Sequence, residues 1–312
     1  MTEPDLQTRG SDAFRDAVVA GLSRARKTLP SCWLYDARGC ELFNAITRLD
    51  DYYPTRAETE ILSRHAPDMA RFCGGGAALL EYGAGAAIKT EILVGALEKP
   101  KLYVPIDIAG DELARAAQRI AGRFPGLDVR PVIADFTDAF DLPPLPRGPR
   151  TAFFPGSTIG NLDRREAVAF LSRLLNHVEG CGRAIIGVDL NKDRRTLLNA
   201  YDDREGVTAA FNLNLLERIN RELDGGFPLD RFAHEARWNG VESAVEMHLV
   251  SLDARRVMVA NKTFGFAAGE SIHTESSRKY DLDSFAALAD AAGWRLARCW
   301  RDSRFAVLGL DA

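Results

Sequence analysis

The stretch that decides the fold is residues 79–90, LLEYGAGAAIKT. An apolar run over 77–80 leads into a carboxylate, Glu81, and two glycines one residue apart, Gly83 and Gly85. A helix-compatible segment, 86–97, follows at once. That order is how a buried parallel strand turns into the start of a helix, where missing side chains let a ligand touch backbone. A G-x-G alone is weak, because many such turns use glycine for local reasons. The neighbours narrow the reading. A three-glycine dinucleotide fingerprint would place its last glycine at position 88, where helix and strand pack closely, and position 88 is Ile. About 20 residues on, a second apolar run, 102–106, ends at Asp107, placed to receive ribose hydroxyls. A third strand, 129–134, ends at Asp135 and Phe136, an acceptor beside a ring that suits an adenine edge and face. Glycine, acid, and acid with ring at successive strand ends favour an adenosine ligand without a pyrophosphate. S-adenosylmethionine is the commonest such cofactor.

The rest of the chain sets bounds on this reading. Its 312 residues can bury a sizeable core, and 46% hydrophobic with 27% charged residues is a globular composition. A net charge of −4 supplies no basic field for nucleic acid or an anionic membrane. Five scattered cysteines without C-x-x-C argue for reduced thiols in a cytoplasm. The five histidines lack H-x-x-x-H spacing, so no metal is expected. The polar N-terminus and the lack of an 18-residue apolar run predict neither a signal peptide nor a membrane span.

Along the chain, 1–10 read as disordered, and Ser11 could cap a helix over 12–27 with Phe14, Val18, Val19 and Leu22 on one face. Pro54 should keep Tyr53 out of helical geometry, with Thr55 capping a helix over 56–71. Strands at 77–82, 102–108, 129–134, 151–155 and 184–190 alternate with helices at 87–97, 111–123 and 164–178, the rhythm of a parallel sheet. Beyond residue 190 it breaks. Helices at 194–201 and 207–223 precede antiparallel strands at 245–252, 256–259 and 262–266, and a pair at 294–300 and 305–310 rejoins the sheet. About a hundred intervening residues are too many for one connection and indicate a second lobe. The expected division is 59–195 with 284–312 as cofactor domain, and 11–58 with 196–283 as an α+β substrate lobe. Ligands in open α/β sheets sit in a cleft over the strand ends.

Several constellations carry two readings each. In 153–162, FFPGSTIGNL, Gly156 and Gly160 permit close backbone approach and Asn161 offers donors and an acceptor, or else Asn161 caps the helix near Asp163. Tyr35, Tyr52, Tyr53 and Tyr201 lie in polar surroundings, as site residues or as amphipathic packing. In 272–280, IHTESSRKY, an extended chain points Glu275 and Ser277 to one face, where they could engage the two nitrogens of an imidazole; alternatively the strand is solvated and paired by Arg278 and Lys279. Met247 is core by default.

YDARGCELFNAITRLDDYYPTRAE, EYGAGAAIKT, FFPGSTIGNL, AYDDREGVTAAFNLNLLERINREL and IHTESSRKY together resemble the histidine-specific N-α-methyltransferases of ergothioneine biosynthesis, over about residues 12–310. The resemblance implies a Rossmann-like class I methyltransferase sheet, with a C-terminal antiparallel hairpin, and a second, substrate-binding lobe. It implies transfer of three methyl groups from S-adenosylmethionine to the α-amino nitrogen of L-histidine, giving hercynine, by a monomer that handles the mono- and dimethylated intermediates. Gly83, Gly85, Lys89, Asp107, Asp135 and Phe136 would hold the cofactor. Tyr52, Asn161 and Tyr201 would hold the carboxylate and amine of histidine. Tyr35 and the carbonyl of Gly156 would lie near the amine, and Glu275 and Ser277 would hold the imidazole with Met247 close by. Two departures stand out: Ala84, Ala86 and Ala87 replace small hydroxyl residues common in the family, and the hairpin WRDSRFAVLGL is shorter. A methyltransferase for another small amine or amino acid, and a catalytically silent cofactor-binding scaffold, are the alternatives.

Overall fold

The computed structural model describes residues 3–85, 88–180 and 182–312. In chain order the elements are α1 (Glu3–Leu22), α2 (Ala37–Ile46), α3 (Tyr53–Cys73), β1 (Ala78–Tyr82), α4 (Ile88–Ala96), β2 (Leu102–Asp107), α5 (Gly110–Arg123), β3 (Asp128–Val129), β4 (Val132–Ile133), β5 (Arg150–Phe154), α6 (Arg164–His177) and β6 (Arg183–Asp189). There follow α7 (Arg194–Asn199), α8 (Val207–Glu222), β7 (Phe232–Asn239), β8 (Ala244–Ser251), β9 (Arg255–Val259), β10 (Lys262–Phe266), β11 (Ser271–Arg278), α9 (Leu282–Ala291), β12 (Arg295–Arg301) and β13 (Phe305–Asp311).

The chain forms two compact units, Pro54–Asn191 with Arg278–Ala312, and the residues up to Tyr53 with Lys192–Ser277. The first is a mixed α/β unit on one sheet of order β12-β13-β6-β5-β1-β2-β3, with β4 also on β2. Strands β2, β1, β5 and β6 run parallel, while β13 and β12 close the edge as an antiparallel pair. β1, β2, β5 and β6 are buried along nearly their whole length, as parallel strands covered on both faces must be. Helix α5 covers one stretch with Leu113, Ala116, Ala117 and Ile120, and α6 another with Ala167, Phe170, Leu171 and Leu174. α6 starts on a capping box, Asp163 with Glu166, so Asn161 is not its cap. Strand order reverses between β1 and β5, which makes their carboxyl ends the switch point where such sheets take ligands.

The second unit has α8 against a three-stranded sheet of order β11-β8-β7 and a separate β9–β10 hairpin. Ala260 and Asn261, both at positive φ, form the two-residue turn whose twist suits a hairpin.

Several expectations need correction. The boundaries fall at 54, 192 and 278 rather than 59, 196 and 284. Helix α3 starts at Tyr53, with Pro54 in its first turn where a missing N–H costs nothing. Its far end joins the large sheet, as Trp300 Nε1 donates to Asp68 at 2.7 Å and the Trp300 ring meets Phe72 edge-on. Tyr280 pairs along the end of β6, its N–H donating to Asp189 O at 3.0 Å and its carbonyl accepting from Asn191 N–H at 3.0 Å, which brings 278–283 into the same unit. Residues 3–10, expected to be disordered, continue α1. That helix ends at Leu22 rather than 27 because the chain doubles back over Gly21, where a Cβ would lie 2.0 Å from Thr28 O. The third parallel strand is only the fragments β3 and β4, split at Pro131, which has no N–H to pair. β7 and α9 were not expected at all.

Among the described residues no helix is long and apolar enough to cross a membrane, and no group of three or more His, Cys, Asp or Glu is placed to hold a metal ion. Cys32, Cys40, Cys73 and Cys299 are in no disulfide. Cys181 lies outside the described residues.

In the middle of β6, Gly187 leaves room for the fully buried carboxylate of Glu58 on α3, and a Cβ at 187 would sit 1.9 Å from Glu58 Oε1. Gly187→Ala should therefore destabilise the protein by about 1–3 kcal/mol, read as a lower urea midpoint at unchanged slope.

Candidate active site

In the large unit the glycine turn follows β1. Gly83 has φ +69°, its N–H donates to Ile106 O at 2.9 Å, and a Cβ there would meet the Phe136 ring at 3.5 Å. Glycine adopts that left-handed conformation without strain, and a side chain there would lie against the ring. Gly85, at φ +45°, donates its N–H to Asp107 Oδ2 at 3.1 Å, and a Cβ on it would meet nothing within 4 Å. Asp107 Oδ1 accepts from Ala109 N–H at 2.9 Å. The Asp107 carboxylate thus ties the turn to the start of α5 and still has lone pairs for two further donors, such as ribose hydroxyls. Asp135 Oδ1 accepts from the Thr137 N–H and hydroxyl, at 2.8 and 2.6 Å, which fixes the carboxylate beside Phe136. Phe136 itself packs edge-on to Phe154 and Phe170. Ala86 and Ala87, read as departures in this turn, lie outside the described residues.

Sequence reasoning missed three apolar side chains here. Ile108 and Ile133, at the carboxyl ends of β2 and β4, and Ile88, the first residue of α4 after the glycine turn, are exposed. Exposed large aliphatics around the sheet's strand ends suit a flat apolar ligand face. The exposure of Ile88 also fits its place where the dinucleotide fingerprint would demand glycine.

It also missed Glu58. Lys89, at the start of α4, pairs its ammonium with Glu58, whose Oε1 and Oε2 also accept from the Gly156 N–H at 3.0 and 2.8 Å. Gly156 has φ +84° and turns the chain out of β5 into Ser157, itself left-handed at φ +58°. The loop then winds through a 3-10 turn, Thr158–Asn161. Gly160 lies so close to the backbone of Arg278 that a Cβ would fall 2.7 Å from its carbonyl oxygen, and Arg278 Nη1 donates to Leu162 O at 2.9 Å. The loop bearing Gly156 and Asn161 is therefore pinned at both ends.

In the smaller unit the other expected residues gather. Tyr35 is flanked edge-on by Phe43 and Phe211, each 5.5 Å away between centroids. Phe43 lies 6.3 Å from Tyr52, and Tyr52 6.2 Å from Tyr201. Phe43 and Phe211 were not singled out from the sequence, although both fall in the segments quoted for the resemblance. The Tyr201 hydroxyl shares a hydrogen bond of 2.7 Å with Ser277 Oγ. Glu275 and Ser277 are both buried on β11, not solvated, and Met247 is buried in β8. Burial, then the carboxylate of Glu275, push the Tyr35 hydroxyl well above the usual phenol range. Tyr53 serves structure: its hydroxyl accepts from Lys192 Nζ at 2.7 Å. Tyr35 is held by its neighbour Asp36, which caps α2 through Gly39 N–H and accepts from Asn214 and Arg221 on α8.

Beneath the glycine turn, Glu81 is fully buried, with Oε2 accepting from Thr90 Oγ1 at 2.5 Å and from the Tyr103 hydroxyl. Burial raises its pKa from 4.5 to about 7. A raised folded pKa contributes stability that is full below 4.5 and lost as pH rises through 7. Glu81→Gln can keep one oxygen as the acceptor for both hydroxyls while removing the titration. Between pH 5 and pH 8 the stability difference should move against the wild type by about 2–3 kcal/mol in urea unfolding.

A family model described as histidine-specific methyltransferase, SAM-dependent, matches residues 14–310. The histidine N-alpha-methyltransferase of Mycolicibacterium smegmatis is 40% identical over 298 residues, covering 94% of this chain and 92% of that protein. Its namesake from Mycobacterium tuberculosis is 41% identical over 299 residues, with the same coverage. Ergothioneine biosynthesis protein 1 of Neurospora crassa is 32% identical over 200 residues, 62% of this chain but 23% of that longer protein.

Proposed function

The chain belongs to the S-adenosylmethionine-dependent, histidine-specific methyltransferases, and from that premise we propose that it methylates the α-amino nitrogen of L-histidine three times. The product is hercynine, and the step belongs to ergothioneine biosynthesis. The observation that carries the site assignment is the buried set in the smaller unit, where Tyr201 and Ser277 share a hydrogen bond on the strand that also bears Glu275. A buried carboxylate beside a hydroxyl suits an imidazole, which can donate from one nitrogen and accept at the other. Tyr52 and Tyr201, in the same unit, take the carboxylate and amine end.

S-adenosylmethionine supplies an electrophilic methyl on a sulfonium. The large unit fits it: an open glycine turn, Asp107 for ribose hydroxyls, Asp135 and Phe136 for adenine, and Lys89 for the methionine carboxylate. The amine attacks as the free base, its lone pair forming the N–C bond as the C–S bond breaks. Each of the first two transfers leaves a proton that solvent takes before the next. The third yields a quaternary ammonium with no proton to lose. The ring faces of Tyr35, Tyr52 and Tyr201 suit that growing cation, since aromatic clusters favour quaternary ammonium groups. Tyr35, kept a neutral phenol, orients rather than deprotonates. Alignment of nitrogen, methyl and sulfur is worth about 7–11 kcal/mol of barrier in well-oriented systems.

Mass spectrometry of histidine incubated with the protein and S-adenosylmethionine should show additions of one, two and three methyl groups; unmodified histidine would refute the assignment. Glu275→Ala should lower kcat/KM for histidine by about 2–4 kcal/mol, as for loss of a charged hydrogen bond. Asp107→Ala should instead raise the dissociation constant of S-adenosylmethionine in calorimetry and leave the KM for histidine nearly unchanged.

A further inference from the structure

The smaller unit contains a chain of hydrogen bonds that the chemistry above does not use. Thr274 Oγ1 on β11 donates to Asn212 Oδ1 on α8 at 2.7 Å. Asn212 Nδ2 lies 3.2 Å from the carbonyl oxygen of His248 on β8 and 2.9 Å from Nδ1 of His234 on β7. His234 Nε2 lies 2.8 Å from the carbonyl oxygen of Tyr201, whose hydroxyl meets Ser277 Oγ. Thr274 and Ser277 both belong to β11, so the chain closes into a ring, and Glu275 stands between its two ends. Asn212 and Thr274 are fully buried.

Two backbone carbonyls fix the protons on Asn212 and His234, while the Thr274 hydroxyl also lies 3.1 Å from the Met247 carbonyl oxygen. A carbonyl oxygen only accepts, so His234 Nε2 carries hydrogen. By the same rule the Asn212 group facing His248 is the NH₂, which leaves Oδ1 for Thr274 and turns the second N–H toward His234 Nδ1. That nitrogen must therefore present a lone pair. His234 is a neutral imidazole for reasons of connectivity, since a proton on Nδ1 would face the Asn212 N–H. Burial pulls its pKa down in the same sense, against the carboxylates that face it, Asp202 and Asp203 before α8 and Glu235 on its own strand.

We infer that His234 is a positioning residue for the amino-acid pocket: as a neutral Nε2–H bridge between Asn212 and the Tyr201 backbone, it sets Tyr201 against Ser277 and holds the β11 segment that presents Glu275. The inference rests on the reading of Tyr201, Glu275 and Ser277 as histidine contacts.

The test uses the full chain. Glutamine at 234 cannot reach both Asn212 and the Tyr201 carbonyl, so His234→Gln should raise the KM for histidine by roughly tenfold or more, with kcat and the S-adenosylmethionine dissociation constant within about threefold. Asn212→Ala should cause a similar rise, and the double variant no more than either single, as for members of one network. Long-range ¹H–¹⁵N NMR on the wild type, which needs no variant to fold, should show one imidazole in the neutral Nε2–H form persisting well below pH 6.5. A doubly protonated or Nδ1–H ring at neutral pH would overturn the inference. So would multiplicative losses in the double variant, or a fall in melting temperature with an unchanged KM. Glu275→Gln separates the two levels. If it leaves the KM for histidine unchanged, the pocket reading itself fails; if it raises KM while His234→Gln does not, only the role of His234 falls.

Discussion

A fully buried carboxylate governs the large unit. Glu58 has no access to water, so its charge must be answered inside the protein, and it is answered by the Lys89 ammonium and the Gly156 N–H. Each partner sits on a different element: Glu58 on α3, Lys89 at the head of α4, Gly156 at the end of β5. The carboxylate also needs the space that Gly187 leaves in β6. One ion pair thus sets the relative position of four elements around the switch point of the sheet. Moving any of them would strand a buried charge, which costs several kcal/mol once one partner is lost. The left-handed turn at Gly156 follows from the same constraint, because its N–H must point at Glu58 as the chain leaves the strand.

Under the proposed assignment the two units recognise chemistry in different ways. The cofactor side is built from backbone: glycines at positive φ, N–H groups, and a carboxylate already hydrogen-bonded to two of them. Such a surface reads shape and hydroxyl groups common to adenosine compounds. The smaller unit is built from side chains, aromatic rings at 5.5 to 6.3 Å and the Tyr201 hydroxyl paired with Ser277 on β11, the strand that also bears buried Glu275. Selectivity belongs to the second kind. A site that must hydrogen-bond a polar group rejects an analogue lacking it far more strongly than an apolar slot rejects a missing methylene.

The backbone part was legible in the sequence because it is local. The glycine turn, Asp107 and Asp135–Phe136 each end a hydrophobic run, and the strands before the first two read correctly within a residue or two, while the third is broken at Pro131. What could not be read depends on partners far along the chain. Glu58 and Gly156 are 98 residues apart, and nothing near Glu58 sets it apart from a surface glutamate. Tyr201 and Ser277 were named through a family likeness, since spacing alone left them between site and packing. β7 was missed because its residues are mostly half-buried, so no clean alternation of apolar and polar side chains survives. α9 was a different failure. Asp281 and Ser284 form a capping box, and Phe285, Leu288 and Ala289 follow at helical spacing, so the signal was present and went unread.

The titration of Tyr35 bears on what kind of catalyst this architecture can be. A phenol in the proposed pocket could in principle serve as a base, but burial and the nearby Glu275 charge disfavour its anion. At neutral pH it is a hydrogen-bond donor and acceptor and nothing more basic. What water cannot supply is the line of nitrogen, methyl and sulfur. A protein that holds its glycine turn with a buried ion pair, and its tyrosines with packed rings and a closed ring of hydrogen bonds, has placed its stability where geometry needs it. Its catalytic power then lies in orientation, and substitutions that loosen these supports without touching either ligand should cost rate through misalignment.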